Sequence, residues 1–470
     1  MSLLDLSITE AGARLRDGTL TSLALTQAHL ERIALVDPTI HAFVAVMEER
    51  ALAAAAQADD ELARGEDHGP LHGIPVALKD LIDVGGVATA CGSHLRAGHV
   101  AAEDSEVARR LVRAGAVLLG KVATYEFALV GPSFDQPTPP AANPWSLDHI
   151  TGGSSSGSAA AVAAGMVRSA IGTDTGGSIR SPAGYCGVVG LKPTFGRVSR
   201  RGVFPLSPSL DHVGPISASV AEAAMTLDAI AGPDPCDPAS SGQTVAPAAS
   251  CLGQGIEGLR IAYSRDWFAR DPALTPEVLT AIDDAVSQLS LLGARIEEVR
   301  LPSYDLLEAA GAVILHAESL EVHRAAMLAR GAEYGRQAYQ RLAAGIGLTE
   351  SDLVQARQVG RALRDAIDAD IFTRHDVLVT ANTLATAPPV ADFRGKGPKW
   401  TAMRTLPFNV TGHPSLALPV GFAGGLPVSM QIVGRAFDEA QICRVGAAFE
   451  RSTDHSVQRP PPIPRLHDAA

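Results

Sequence analysis

Apolar positions over residues 1–65 recur at helical spacing. Ser7 and Glu10 stand at capping-box separation, where a hydroxyl and a carboxylate satisfy orphan N–H groups reciprocally. Leu23, Leu30, Ile33 and Ala34 share one face of a second helix, which Asp37-Pro38 is expected to stop. An alanine-rich third helix is predicted from Val44 to Arg64. From Gly69 to about Pro215 the period changes. Short apolar runs such as Ile74–Leu78 and Ala116–Leu119 alternate with helical and glycine-rich pieces, the pattern of an α/β layer. Residues 232–255 are rich in proline and serine and read as a surface connection. Beyond it, Leu259–Tyr263 is a predicted strand. Thr275 caps and Pro276 opens a helix with Val278, Ile282, Val286 and Leu289 on one side, closed by Gly293. Residues 306–372 read as mostly helical and polar-faced. Strands return at Ser415–Val420 and Val428–Val433.

Composition narrows the function classes. Of 470 residues, 46% are apolar and 19% charged, as in a globular chain with a sizeable core. The charge is 39 basic against 51 acidic residues, or −12, and no Lys/Arg cluster tracks phosphates, so neither nucleic acid nor a membrane surface is an expected partner. Cys91, Cys186, Cys236, Cys251 and Cys443 are scattered, without C-x-x-C spacing, which suits reduced thiols and neither disulfides nor zinc. No basic-then-apolar leader and no membrane-length apolar run is visible, so a cytoplasmic location is expected.

Two serine-bearing glycine loops carry the candidate chemistry: Thr151-Gly-Gly-Ser154-Ser155-Ser156-Gly-Ser158, and Asp174-Thr175-Gly176-Gly177-Ser178-Ile179-Arg180. They bracket the apolar stretch Ala159–Ala164. Either alone would be an ordinary turn. Together they meet the demands of acyl transfer. A serine nucleophile needs a base within hydrogen-bond reach, and the tetrahedral intermediate needs backbone N–H donors. The backbone N–H groups of Thr175, Gly176, Gly177 and Ser178 are candidate donors, with Ser178 the nucleophile. None of the 14 histidines sits in a catalytic setting. Lys79, at the end of an apolar strand, is the candidate base, because burial disfavours its charged form.

These loops, with Gly73–Asp80, Gly190–Thr194, Ser209–Pro215, Gly425–Val428 and Gln431–Arg435, closely resemble the amidase signature family from about residue 5 to 455. The resemblance implies a central mixed β-sheet flanked by helices on both faces, as one amidase domain over 1–470. It would comprise a helical segment 1–65, a signature core 66–230, a helical insertion 257–372 shaping the pocket, and returning strands 373–470. It also implies that Ser178 is the nucleophile, that Ser154 is a bridging serine held by a cis peptide, and that Lys79 is the base. Ser155, Asp174 and Arg180 would then be supports. The implied reaction is hydrolysis of a small linear amide, or a related carbamate, urethane or hydrazide, through an acyl-enzyme, with no metal or organic cofactor.

Competing motifs are weaker. Gly153–Gly157 also fits the G-x-S-x-G nucleophile elbow, which would make Ser155 the nucleophile, but a loop and not a strand precedes it. Gly115–Lys121 nearly spells a P-loop of an NTP-binding module, but Val122 stands where Ser or Thr must reach magnesium. Lys121 is instead expected to be a structural strand-end residue. Within the family, the segment from Tyr125 through Pro140 is more like stand-alone bacterial amidases. His212 stands where the glutaminase (A) subunit of a tRNA-dependent amidotransferase is expected to carry glutamine. The free enzyme is therefore the main expectation and the glutaminase subunit the alternative. Gly131, Pro132 and Phe134 are candidate substrate-binding residues, with Tyr304 a further pocket aromatic. A homodimer is one open option for the assembly.

Overall fold

Eleven strands pair into one mixed sheet in the computed structural model, which describes residues 2–129, 131–396 and 399–463. In chain order the strands are β1 (Phe43–Val46), β2 (Pro75–Lys79), β3 (Val117–Val122), β4 (Ser169–Asp174), β5 (Val189–Lys192) and β6 (His212–Ser217). They continue as β7 (Arg260–Tyr263), β8 (Arg295–Glu298), β9 (Val377–Ala381), β10 (Ser415–Ala423) and β11 (Leu426–Gly434). Across the sheet the order is β1-β3-β2-β4-β6-β5-β10-β11-β9-β7-β8. β2 runs parallel to β3 and β4, whereas β6, β5, β10 and β11 pair antiparallel.

Both faces of the central strands are buried. Val76 and Leu78 of β2 join one apolar cluster while Ala77 joins another; Leu118 and Ile171 follow the first, and Val117, Leu119 and Ala170 the second. Successive side chains point to opposite faces, so a strand covered on both sides reads as a continuous apolar run. One face takes the alanine helix Ser156–Ala163 and Ile33 and Val36 of helix Ser22–Ile40. A Cβ on Gly157 would lie 2.3 Å from the Ala123 nitrogen, so only glycine permits that approach. Helices Val220–Ile230, Pro276–Leu291 and Glu439–Arg451 cover the other face.

The expected capping box at Ser7 and Glu10 is present. The second helix, however, runs through Asp37-Pro38 to Ile40. Proline in the last turn is accommodated there, and His41, with φ 57°, ends the helix. The Asp37 carboxylate accepts N–H groups of Ala42 and Phe43 beyond the end. The third helix is shorter than expected, Glu48–Ala63, because Phe43–Val46 pairs with β3 as an edge strand. The 257–372 segment is not helical throughout. It contributes β7 and β8 to the sheet's far edge before helices Tyr304–Arg330, Arg336–Ala343 and Glu350–Ile367 close over a third apolar cluster. The five cysteines are free. Among the described residues no helix is long and apolar enough to cross a membrane.

Candidate active site

Lys79 ends β2 with its side chain wholly buried. Its Nζ lies 2.7 Å from Ser154 Oγ, 3.1 Å from Ser155 Oγ and 2.8 Å from Thr173 Oγ1. Burial pushes the ammonium down to about 7, against the upward pull of Asp174 and Asp211. A neutral amine offers two N–H groups and one lone pair, so one of the three hydroxyls must donate to it. Ser155 is committed elsewhere: its hydroxyl donates to the Thr173 carbonyl at 3.0 Å and accepts the Thr173 N–H at 3.1 Å. Of the other two, Ser154 adjoins the second serine loop, where its N–H donates to Ser178 Oγ at 3.1 Å. Lys79, Ser154 and Ser178 are thus linked through successive contacts. Ser155 is fully buried, whereas Ser178 is half-buried and faces a cavity, an arrangement opposed to the elbow reading.

The Ser178 loop is shaped by a buried carboxylate. Asp174 Oδ1 accepts the Gly177 N–H at 2.8 Å, and Oδ2 accepts the Ile179 N–H at 3.1 Å. Arg180 holds both oxygens, at 3.0 and 2.9 Å. Burial works to raise the Asp174 carboxyl, but Arg180, Lys192 and Asn409 outweigh it and hold it well below the usual carboxylate range. Arg180 in turn donates to the Thr405 carbonyl, Gln431 Oε1 and Asn409 Oδ1. Thr405 Oγ1 donates to the Gly176 carbonyl at 2.6 Å, which fixes the peptide before Gly177. Gly177 has φ 133°, and a Cβ there would lie 2.3 Å from Thr405 Oγ1.

Two expectations change here. Gly177 cannot serve as an oxyanion donor, since its N–H is taken by Asp174. No described hydrogen bond uses the N–H of Thr175, Gly176 or Ser178, which leaves those three. The cis peptide expected at Ser154 is also absent: the cis bond among the described residues is Gly131–Pro132. Gly152 and Gly153, at φ 71° and 54°, turn the chain there instead. Gly153 is packed so closely that a Cβ would meet Pro182 Cδ at 2.6 Å and Ser178 Cα at 3.1 Å.

A cavity of about 330 Å³ opens over Ser178. Ala128, Leu129, Ile150, Leu206, Leu315 and Leu406 are among the apolar residues of its wall. Arg341, Glu308, His316 and Lys399 are the charged or titratable residues in its lining, and the Arg341 guanidinium lies 5.8 Å from the Trp400 ring centre. Of the candidate substrate-binding residues Gly131 lines the cavity, whereas Pro132 and Phe134 do not. Phe134 is turned outward, with the Arg394 guanidinium 4.4 Å from its ring centre. Tyr304 lines an adjoining surface cavity and stacks under Arg404 at 4.0 Å, with its hydroxyl on the Met403 carbonyl. Lys121 is structural: buried, it pairs with Asp80 at 3.0 Å and Thr89 Oγ1 at 3.0 Å. Thr405 and Asn409 went unmarked in the sequence, because single polar residues so far from the serine loops carry no local signal; Thr173, next to the second loop, shows its contact with Lys79 only in the structure.

A mixed sheet with a buried lysine against two serine loops defines a class of hydrolase acting on carbon–nitrogen bonds. The Amidase family model matches residues 24–443, and the chain belongs to that family, the amidase signature enzymes. The glutamyl-tRNA(Gln) amidotransferase A-subunit of Chloroflexus aurantiacus is 38% identical over 97% of this chain and 98% of its own length. The peptide amidase of Stenotrophomonas maltophilia has a TM-score of 0.85 and 35% identity, covering 98% of this chain and 99% of its own. A chain from a vestigial protein complex linked to the origins of an s-triazine catabolic enzyme has a TM-score of 0.89 and 36% identity, covering 95% and 98%.

Proposed function

We propose that this chain hydrolyses the acyl carbon–nitrogen bond of a small linear amide with an apolar aryl or alkyl acyl group, through an ester on Ser178. The observation that carries this reading is the buried Lys79 amine, 2.7 Å from Ser154 Oγ and pushed down to about 7. Uncharged Lys79 accepts the Ser154 proton, and Ser154 accepts the proton of Ser178 as its oxygen attacks the carbonyl carbon. The N–H groups of Thr175, Gly176 and Ser178 are the donors left to face the oxyanion. Collapse breaks the C–N bond; the proton returns through Ser154 to the departing amine. Water then cleaves the ester by the same route, releasing the acid and restoring both hydroxyls. Carbamates, urethanes and hydrazides present the same carbonyl.

A second reading, the glutaminase subunit of a tRNA-dependent amidotransferase working with partner subunits, is favoured by the 38% identical relative named for that role. Arg341 also supports it: it lines the cavity and its Nε has no partner, a cation suited to a substrate carboxylate. The mostly aliphatic wall supports the first reading. Assaying the isolated chain, with Ser178→Ala as control, against acyl-anilides, primary amides, carbamates and glutamine separates them. Anilide turnover without partners upholds the first; ammonia release from glutamine only with added subunits and tRNA upholds the second.

A further inference from the structure

Beside the catalytic cavity lies a cleft of about 620 Å³, and Glu308, Trp400, Thr401 and Met403 stand in the lining of both. This seam lies against the nucleophile loop. A Cβ on Gly176 would sit 3.4 Å from the Trp400 ring, and one on Gly177 would sit 2.9 Å from Met403 Sδ. The cleft thus begins next to the reacting centre, and exposed Asp266, Arg270, Ser303 and Asp305 put its far side in water. Charge divides across the seam. Arg341 and Lys399 line the catalytic cavity alone, where a cation meets a carboxylate on the acyl half of a substrate. In the cleft, Arg404 is paired with Asp271, which leaves Arg270 against Asp266, Asp305 and Glu308. No ion pair among the described residues engages those three carboxylates. Asp266 and Asp305 are solvated surface acids. Glu308 is different: half-buried on helix Tyr304–Arg330, it is the one carboxylate among the described residues that lines both cavities.

We infer that the cleft receives the amine half of the substrate, and that Glu308 makes the enzyme select an N-acylated diamine, whose free amino group is an ammonium. On the hydrolase reading above, on which this selection rests, the amine departs while the acyl group is still bonded to Ser178 in the apolar cavity. The departing half must therefore lie on the side that opens to water, which is the cleft. At the seam an ammonium on it gains a charge-assisted contact with Glu308, and Asp266 and Asp305 add attraction at longer range. A neutral amine half forgoes these contacts, and an anionic one meets three carboxylates and a single unpaired arginine.

Calorimetric titration of the full-length Ser178→Ala chain with the benzoyl amides of putrescine, butylamine and γ-aminobutyrate reads binding without turnover. The kcat/KM of wild type on the same three amides reads it through the reaction. The putrescine amide should bind roughly tenfold more tightly than the butyl amide, and the γ-aminobutyrate amide should bind most weakly. Adding Glu308→Gln should bring the ammonium-to-neutral ratio to within about threefold, and about 0.5 M salt should shrink it in the parent chain. A merely structural role for Glu308 would lower all three amides together and leave the ratio where it was. Asp305→Asn, at an exposed position, carries the test should Glu308→Gln fail to fold, and should lower the ratio roughly twofold. Equal binding of the putrescine and butyl amides, tightest binding of the γ-aminobutyrate amide, or a ratio that both variants leave unchanged overturns the selection, while cleavage of the butyl amide keeps the hydrolase reading. If wild type cleaves none of the three, the hydrolase reading falls and the selection with it.

Discussion

Replacing Asp174 with asparagine tests whether the nucleophile loop hangs on one buried ion pair. Asp174 and Arg180 have side chains that are wholly inaccessible, and five hydrogen bonds tie the carboxylate to Gly177, Ile179 and Arg180. The substitution keeps the shape but removes the charge, which leaves a guanidinium buried without its counter-ion. Breaking such a pair from one side costs about 3–5 kcal/mol. The new amide also turns a donor toward groups that themselves donate, adding about 1–3 kcal/mol. Arg180→Gln removes the other partner, and the double variant should recover at least about 2 kcal/mol of the summed single losses, because neither charge is then stranded. Urea unfolding of the three variants measures this, and labelling of Ser178 by a fluorophosphonate reports the loop. Single-variant losses that simply add, or an Asp174→Asn protein within about 1 kcal/mol of wild type, would refute the reasoning.

Three further outcomes are expected. Gly177→Ala should lose about 1–3 kcal/mol from the backbone conformation alone and more from the Thr405 clash, read as a lower melting temperature together with lost turnover. Thr173→Val removes an acceptor 2.8 Å from Lys79 Nζ, so the charged lysine loses support and the acid limb of kcat should move about one pH unit lower. Arg341→Met should raise KM roughly tenfold for amides carrying a free carboxylate and leave neutral anilides unchanged, as steady-state kinetics on matched pairs will show.

Much of the site is legible because its parts are local. Lys79 closes an apolar strand, and the glycines of both serine loops advertise backbone that no other residue can follow. The supports are not local. Asn409 and Thr405 reach Asp174, Arg180 and Gly176 from across the chain, and nothing near them distinguishes a buried polar residue from a surface one. Gln431 sits in a motif of the returning strands, yet its task, accepting from Arg180, shows only in three dimensions. Counting glycines likewise overstates the oxyanion donors, because a neighbouring carboxylate can claim an N–H first, as Asp174 claims that of Gly177. The pocket is the least legible part. Trp400 and Arg341 come from separate segments, whereas Phe134, a candidate pocket aromatic in the sequence, faces outward. Asp37-Pro38 shows the same limit in the fold, where one more helical turn absorbs a proline that local rules would make a stop.

Because Lys79 is neutral above about 7 and charged below it, the base form is lost as pH falls. The most direct measurement is the rate of fluorophosphonate labelling at Ser178, with the labelled residue located by mass spectrometry, from about pH 5 to about pH 9. Wild type should label with a rate that rises through about pH 7 and is roughly a hundredfold lower at pH 5, and Lys79→Met should lose that dependence and most of the rate. A rate independent of pH, a Lys79→Met protein that labels like wild type, or adduct on Ser155 would contradict the account.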